Sequence, residues 1–595
     1  MLSERHWQRR RSGPPRHIVP SMRFICTLVL VGALLGQLML AQESASADTL
    51  LTARPAFCAA PVQPVTLVKP TIIGDCTQAG VQRALDQGGH ITFDCGAAPM
   101  TIALSSPLIA SATVDTVLDG GGLVTLDGQG QTRILEKPFT PGSDVDKTKG
   151  NDLTIQNMRL VRGRAPAATK TRDANARGGA IWIGASPGTR LHVFNTTFEG
   201  NRTTSITDED NQGGAIFAAN IYETVIVGSS FNDNEAGSGG AFGGIATGLL
   251  VYNSAFTNNR AADATAGGIV RGHGGALHLD GVSNSFNPDA RNTVEVCGSL
   301  FDSNTAVRGG GAIKVTISDN LGTRAIYERS TFRNNRLVGV PPTEGHGGAI
   351  YHIEDDFAGG TDEDNLLISA STFVDNYAYR QGGGAWILVR GKGRVERSTF
   401  VGNRASEANS NRVGQGGGMI VSMGVIEVVN ATFAQNFATF QGGAIFAGGD
   451  SDLGRVVTLR SSLFAHNRLD PSHTNPVTSA YQGYHTNRPL VNGGNNLQYP
   501  RTKAPDFDNE VNNLITSPAS AILFADPLLE ALADNGGPTP TMALAEGSPA
   551  IDAGSGCTST DQRDAPRVGT CDIGAYEFGA VVASVQQIYL PQIRR

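Results

Sequence analysis

Aromatic side chains make up only 6% of this 595-residue chain, with three Trp among them. So sparse a supply suits a fold of many short strands and tight turns. Clustered positive charge is also missing: 47 Lys and Arg stand against 54 Asp and Glu, a net charge of −7, and the cations are scattered. Without a basic footprint, nucleic acid is not an expected partner. No Cys-x-x-Cys pair and no Cys/His spacing of a zinc site occurs, which removes redox-motif and zinc-finger chemistry. Gly-x-Ser-x-Gly, P-loop and dinucleotide fingerprints in a strand-to-helix setting are absent as well. Beyond residue 47 no apolar run is long enough to span a bilayer as a helix.

What the chain has in excess is glycine, 74 residues, and at its start it has an export signal. Arg9, Arg10, Arg11, Arg16 and Arg23 precede an apolar run from Phe24 to Ala41, and Ala45-Ser46-Ala47 offers a small-x-small cleavage site. Residues 1–47 therefore read as a signal peptide, with a retained anchor as the alternative, and the mature protein as extracellular or on the cell surface. Cys76/Cys95 and Cys557/Cys571 close short loops near the two ends of the mature chain; both pairs are expected as disulfides. Cys58 and Cys297 are far apart, and Cys297, in a strand, is expected as a small buried hydrophobe.

Self-comparison exposes a repeat. Phe-x-x-Asn recurs at Phe198, Phe231, Phe256, Phe301, Phe332, Phe373, Phe400, Phe433 and Phe464, and Gly-Gly-Ala or a near variant lies between successive copies. Five residues before each Phe stands an apolar residue (Val193, Ile226, Val251, Val296, Tyr327, Ile368, Val395, Val428, Leu459), and seven before it most copies have another. That spacing of two is a strand with one buried face, and no unit holds an uninterrupted 3.6-residue apolar period, so helical repeats are excluded. One such strand cannot bury its face alone, so successive turns must stack in parallel around a shared interior. The expected fold is all-β, a single-stranded right-handed parallel β-helix. In it Phe stacks on Phe, Asn bonds to the Asn of the next coil while sitting in the left-handed region, and the glycines turn corners.

The pairing of Phe-x-x-Asn with Gly-Gly-Ala-Ile resembles the repeats of chlamydial polymorphic outer-membrane proteins and related bacterial β-helix surface proteins, over residues 178–467. The resemblance implies an adhesive passenger exported through its own C-terminal β-barrel. This chain departs from that pattern: after Asn467 no series of ten-residue alternating strands follows, so self-transport is not expected.

Both ends of a solenoid need covers. Asp75-Cys76-Thr77-Gln78 reads as a capping box opening a short helix that carries Val81 and Leu85 and stops at Gly88-Gly89, with a strand over His90 to Cys95. Residues 48–135 are thus an N-terminal cap and first coils, and 136–520 the repeats. At the other end come Asp534-Asn535-Gly536-Gly537-Pro538, Gly547-Ser548-Pro549-Ala550-Ile551-Asp552, Thr560-Asp561-Gln562-Arg563 and Cys571-Asp572-Ile573-Gly574. Together they resemble the choice-of-anchor module, type Q, over residues 521–578; the resemblance implies surface display and no chemistry. Residues 579–595 form a tail.

Candidate sites are few. Gly-His-Gly around His273 and His346 superficially matches a polygalacturonase motif, but both sit where other repeats carry Arg177, Gln212, Ser238 or Gln441, which makes a structural column the simpler reading. Two acidic loops, 207–211 and 361–365, place Asp208, Asp210, Asp362 and Asp364 close enough together to hold Ca²⁺; an ordinary solvated loop is the alternative. Loop lengths alternate along the repeat, and the long ones open with Asn-Arg at Arg202, Arg260, Arg336 and Arg404. If each unit is one coil, these four form a row on every second turn, a candidate binding ridge on a rigid scaffold. No catalytic residue and no cofactor other than Ca²⁺ is expected. The function expected is a monomeric, non-catalytic surface scaffold that binds polysaccharide or the cell envelope. A polysaccharide lyase or hydrolase on the same fold, and a purely structural spacer, are the alternatives.

Overall fold

The computed structural model describes residues 57–138, 151–168, 174–184, 187–204, 210–262, 272–282, 293–318, 323–338, 345–354, 364–406, 414–448, 455–470, 484–501 and 514–582. The segment 1–47 expected as a signal peptide, Asp208, Asp362 and the tail beyond 582 lie outside these residues.

Alternating apolar positions fold as stacked strands. Among the described residues, strands form sheets of 24, 14 and 8 members, and one antiparallel pair, Leu529–Ala533 with Thr541–Leu544, stands apart. The chain is an all-β, right-handed parallel β-helix. One coil shows the plan: Ile313–Ile317 and Arg324–Glu328 lie in the 24-stranded wide sheet, Thr331–Arg333 in the 14-stranded phenylalanine sheet, and Arg336–Leu337 in the eight-stranded short sheet. In two coils the first two strands fuse into single strands, Ala385–Glu396 and Met419–Val429.

Two ladders run through the interior. Rings from Phe198 to Phe464 stack with centroids 4.5–5.1 Å apart, all of them buried. Beside them each Asn amide from Asn201 to Asn436 donates to the next Asn Oδ1 and to a backbone carbonyl; Asn304 gives 3.0 Å to Asn335 and 2.9 Å to the Phe256 oxygen. Its own Oδ1 accepts from the amide and backbone N–H of Asn259. Full pairing is what a completely buried amide requires. The left-handed residue, expected to be this Asn, is instead its predecessor, as at Asp233, Asn334 and Asp375. Gly310 takes φ +66° at the Gly-Gly corner, and a Cβ on Gly311 would lie 2.0 Å from the Gly348 oxygen, so one glycine serves the turn and the other the close approach.

The N-terminal lid is the helix Gln78–Gln87, tied by Cys76–Cys95. Its N-cap is Thr77, which accepts from the Gly80 N–H, whereas Asp75, expected to open the cap, accepts from the Thr77 hydroxyl and pairs with Arg83.

Two segments fasten the coils from outside. Cys297 is not a free hydrophobe: it is disulfide-bonded to Cys58. From there residues 58–68 cross the coils lengthwise as a strap. Asn253 bonds to the Cys58 backbone on both sides (3.1 and 2.8 Å), Gln156 does the same for Val65 (2.9 and 3.0 Å), and Val68 N–H reaches His90. Ala60 and Val62 pack on Phe194, Val227 and Tyr252. The C-terminal module is closed by Cys557–Cys571, and its contacts run along the flank of the last coils, from Arg329 to Asn495. There Gln562 bonds to Thr372 and Thr399, and Ala575 N–H donates to Thr432. Leu529, Leu532 and Met542 cover Val374, Val401 and Ala434.

Candidate functional site

Each strand of the short sheet is two residues long, so one side chain points in and the other out. Ala261, Ala306, Leu337 and Ala378 form the buried row. Outward, the register sets Glu235, Arg260, Thr305, Arg336, Tyr377, Arg404, Phe437 and Arg468 in a single column, which bridges through Arg202 extend to Arg164. Arg202, Arg260, Arg336 and Arg404 thus stand on alternate coils of one column, and all four are exposed. Arg468 is the fifth member; its Asn467-Arg468 dipeptide carried the same signal in the sequence.

The column divides by chemistry. In its first half Arg202 lies 3.5 Å from both Asp233 and Glu235, and Arg260 lies 3.7 Å from Glu235. In its second half two guanidiniums rest on rings: Arg336 is 4.9 Å from the Tyr377 centroid and Arg404 is 4.3 Å from that of Phe437. Among the described residues neither Arg336 nor Arg404 forms an ion pair. Between them lies a concavity of about 500 Å³ lined by Arg336, Asp375, Asn376, Tyr377, Gly402, Arg404 and Ser406. Tyr377 Oη donates to the Ser406 oxygen at 2.9 Å, which fixes the ring. Asp375 is the acid of this concavity, and partial burial raises its carboxyl above the usual range.

Of the acidic-loop residues, Asp208 and Asp362 lie outside the described residues. Asp210 lies 3.9 Å from Arg177, and Asp364 opens the strand Asp364–Ser369. No group of three or more His, Cys, Asp or Glu among the described residues is arranged to hold a metal ion.

His273 and His346 occupy the column before Gly-Gly, bridging through Gly309 and on to Gln381, Gln415 and Gln441. The sequence did not point to what surrounds His273. His278 and Lys314 fill outward positions of the first strand, where the coils on either side hold Phe217 and Gly243 before them and Tyr351 and Trp386 after them. Lys314 Nζ lies 3.3 Å from His278 Nε2. Burial first, and Lys314 second, hold both His273 and His278 well below the ordinary imidazole range.

No helix among the described residues is long and apolar enough to cross a membrane. A family model for the Chlamydia polymorphic membrane protein repeat matches residues 195–219, which contain Phe198, Asn201 and Gly213-Gly214-Ala215-Ile216. No curated protein matches the chain. Among solved structures, the periplasmic alginate epimerase AlgG is 12% identical, covering 67% of this chain and 81% of its own, with a TM-score of 0.34. The catalytic unit of a GH87 α-1,3-glucanase from Streptomyces thermodiastaticus is 13% identical, covering 68% and 69%, with a TM-score of 0.34. PfbA, a surface adhesin of Streptococcus pneumoniae, is 10% identical, covering 66% and 86%, with a TM-score of 0.29. The stacked coils and the two ladders make this chain a parallel β-helix, and one of its repeats, residues 195–219, is similar to the Chlamydia polymorphic membrane protein repeat.

Proposed function

We propose that this protein is an exported, surface-associated scaffold that binds an extended polymer of a polysaccharide coat or cell envelope along its short-sheet flank. The observation that carries the reading is the exposed column from Arg336 to Arg468. Strap and C-terminal module fasten to the other flanks, and this one presents ordered cations at a regular spacing. Three disulfides suit an oxidising compartment outside the cytosol. The C-terminal motifs are read as part of surface display, and Ca²⁺ at Asp208, Asp210, Asp362 and Asp364 as an ordering ion for the acidic loops.

Catalysis on polysaccharide is the second reading, and one observation favours it. His273 and His278 are buried beside Lys314, each with an Nδ1 that makes no hydrogen bond, and such groups suit proton transfer. A glycan array run with reducing-end and unsaturated-product assays separates the two. Retention without product is the expected result; product formation that is lost in His278→Ala would replace the scaffold reading by the enzymatic one.

A further inference from the structure

We infer that the ligand of the short-sheet flank is a linear acidic polysaccharide carrying about one carboxylate per disaccharide, and that Arg336, Arg404 and Arg468 hold it. The inference rests on the proposed binding flank and adds the ligand's charge and period.

Charge comes first. A guanidinium on a protein surface ordinarily meets a carboxylate of the same protein, as Arg202 and Arg260 do at Glu235. In the second half of the column the intervening positions hold Tyr377 and Phe437. A ring below or above each guanidinium holds its plane by cation–π attraction without neutralising it. Arg336 and Arg404 are therefore oriented and, among the described residues, without an ion pair, the condition in which a planar fork binds a carboxylate with little ordering cost.

Spacing comes second. Neighbouring strands lie about 4.8 Å apart, so guanidiniums on alternate coils recur every ~10 Å. That is sparse for nucleic acid, whose strands carry a phosphate about every 3.4 Å, and for polyphosphate, which is denser still. It is close to the disaccharide repeat of an extended sugar chain. The concavity between Arg336 and Arg404 can seat one sugar, with Tyr377 and Ser406 on its wall. A net charge of −7 also disfavours attraction to densely charged polyanions.

Asp375 gives the inference a handle of opposite sign. It is the carboxylate that lines the concavity, and it repels an acidic ligand. Its φ of +54° is one Asn adopts readily, so Asp375→Asn removes the charge and keeps the turn.

The test uses the full mature chain on immobilised hyaluronate, which has one carboxylate per disaccharide, with dextran and polyphosphate as comparisons. Hyaluronate should be retained in a salt-sensitive manner and dextran should not. Arg336→Gln/Arg404→Gln should lower affinity by about ten-fold or more, as loss of two charge-assisted contacts implies. Arg202→Gln/Arg260→Gln should change it by less than about three-fold, since those charges are already paired. Asp375→Asn should tighten binding, with unfolding midpoints unchanged throughout. Retention of dextran that is lost in Arg336→Gln/Arg404→Gln overturns the acidic class and leaves the flank standing. Hyaluronate binding indifferent to that double variant overturns both. Polyphosphate bound as tightly as hyaluronate overturns the spacing argument, and no retention of hyaluronate overturns the inference outright.

Discussion

Arg329 and Asp564, 235 residues apart in the chain, are joined by two hydrogen bonds, 2.8 Å from Nε and 3.3 Å from Nη2. Arg397, two coils further on, reaches the same carboxylate at 3.0 Å. The C-terminal module is thus buckled to the turns of the solenoid side by side, as well as covering its last coils.

Gln562 is the buckle's buried pin, bonded to Thr372, Thr399 and Thr539 with no exposure of its own. Gln562→Ala leaves those hydroxyls in a dry interface and should cost about 1–3 kcal/mol. Limited proteolysis should then release the module before the repeats are cut. Simultaneous loss of both would show that module and coils unfold as one.

The strap gives a second prediction. Cys58→Ser/Cys297→Ser opens a closure spanning 239 residues and should lower stability by about 2–4 kcal/mol. Hydrogen exchange should rise along residues 57–68 and in the strand Thr293–Cys297, and stay unchanged near Phe433. A change confined to the C-terminal coils would contradict the strap.

Within the interior, packing and polarity pull in opposite directions. Phe332→Ala removes a ring stacked 5.1 and 4.7 Å from its neighbours and should cost about 3–5 kcal/mol through the cavity left behind. Tyr327, equally buried, holds a hydroxyl that makes no hydrogen bond. Tyr327→Phe should therefore be neutral or stabilising by up to about 1 kcal/mol. Denaturant midpoints of the two variants, moving in these unequal ways, check both.

Acid should loosen the far end of the ladders. His485 Nδ1 accepts from Asn467 at 3.1 Å, the ring is fully buried, and burial lowers its pKa to about 3. An unfolded His titrates near 6.5, so between these values only the unfolded chain takes up the proton. The contribution of His485 is complete above pH 6.5 and is lost progressively as pH falls towards 3. His273 and His278 shift in the same direction. His485→Gln keeps an acceptor for Asn467 and removes the titration, so melting temperature should fall less steeply with acid in that variant. Equal slopes would refute this.

The coils were legible because every turn restates the same constraints: Phe, Asn and Gly-Gly recur where stacking, amide pairing and close approach demand them. The strap and the lengthwise docking of the C-terminal module were not, because each is a single long-range event. Cys297 shows the limit. Its strand buries Val294 and Val296 inward, so Cys297 has outward parity, and Phe194, Val227 and Tyr252 share its column. An apolar outward column signals a covering segment, but not which segment. Likewise the column after each Phe reads Glu199, Asn232, Thr257, Asp302 and Arg333, then turns apolar at Val374, Val401 and Ala434, where the C-terminal module lies. Candidate residues were harder still. The Arg row was visible in the loop openings, whereas its division into ion-paired and ring-stacked halves depends on register between coils.

Arginine footprinting tests the binding flank most directly. The protein bound to its immobilised polysaccharide is treated with a guanidinium-modifying reagent, and each Arg is scored by mass spectrometry against the free protein. Arg83 on the N-terminal lid and Arg162, five coils before Arg336, with side chains 63% and 62% exposed, serve as internal references. The account predicts that Arg336, Arg404 and Arg468 become protected while Arg83 and Arg162 label as before. Unchanged labelling of the three, or protection centred on the references, would contradict it.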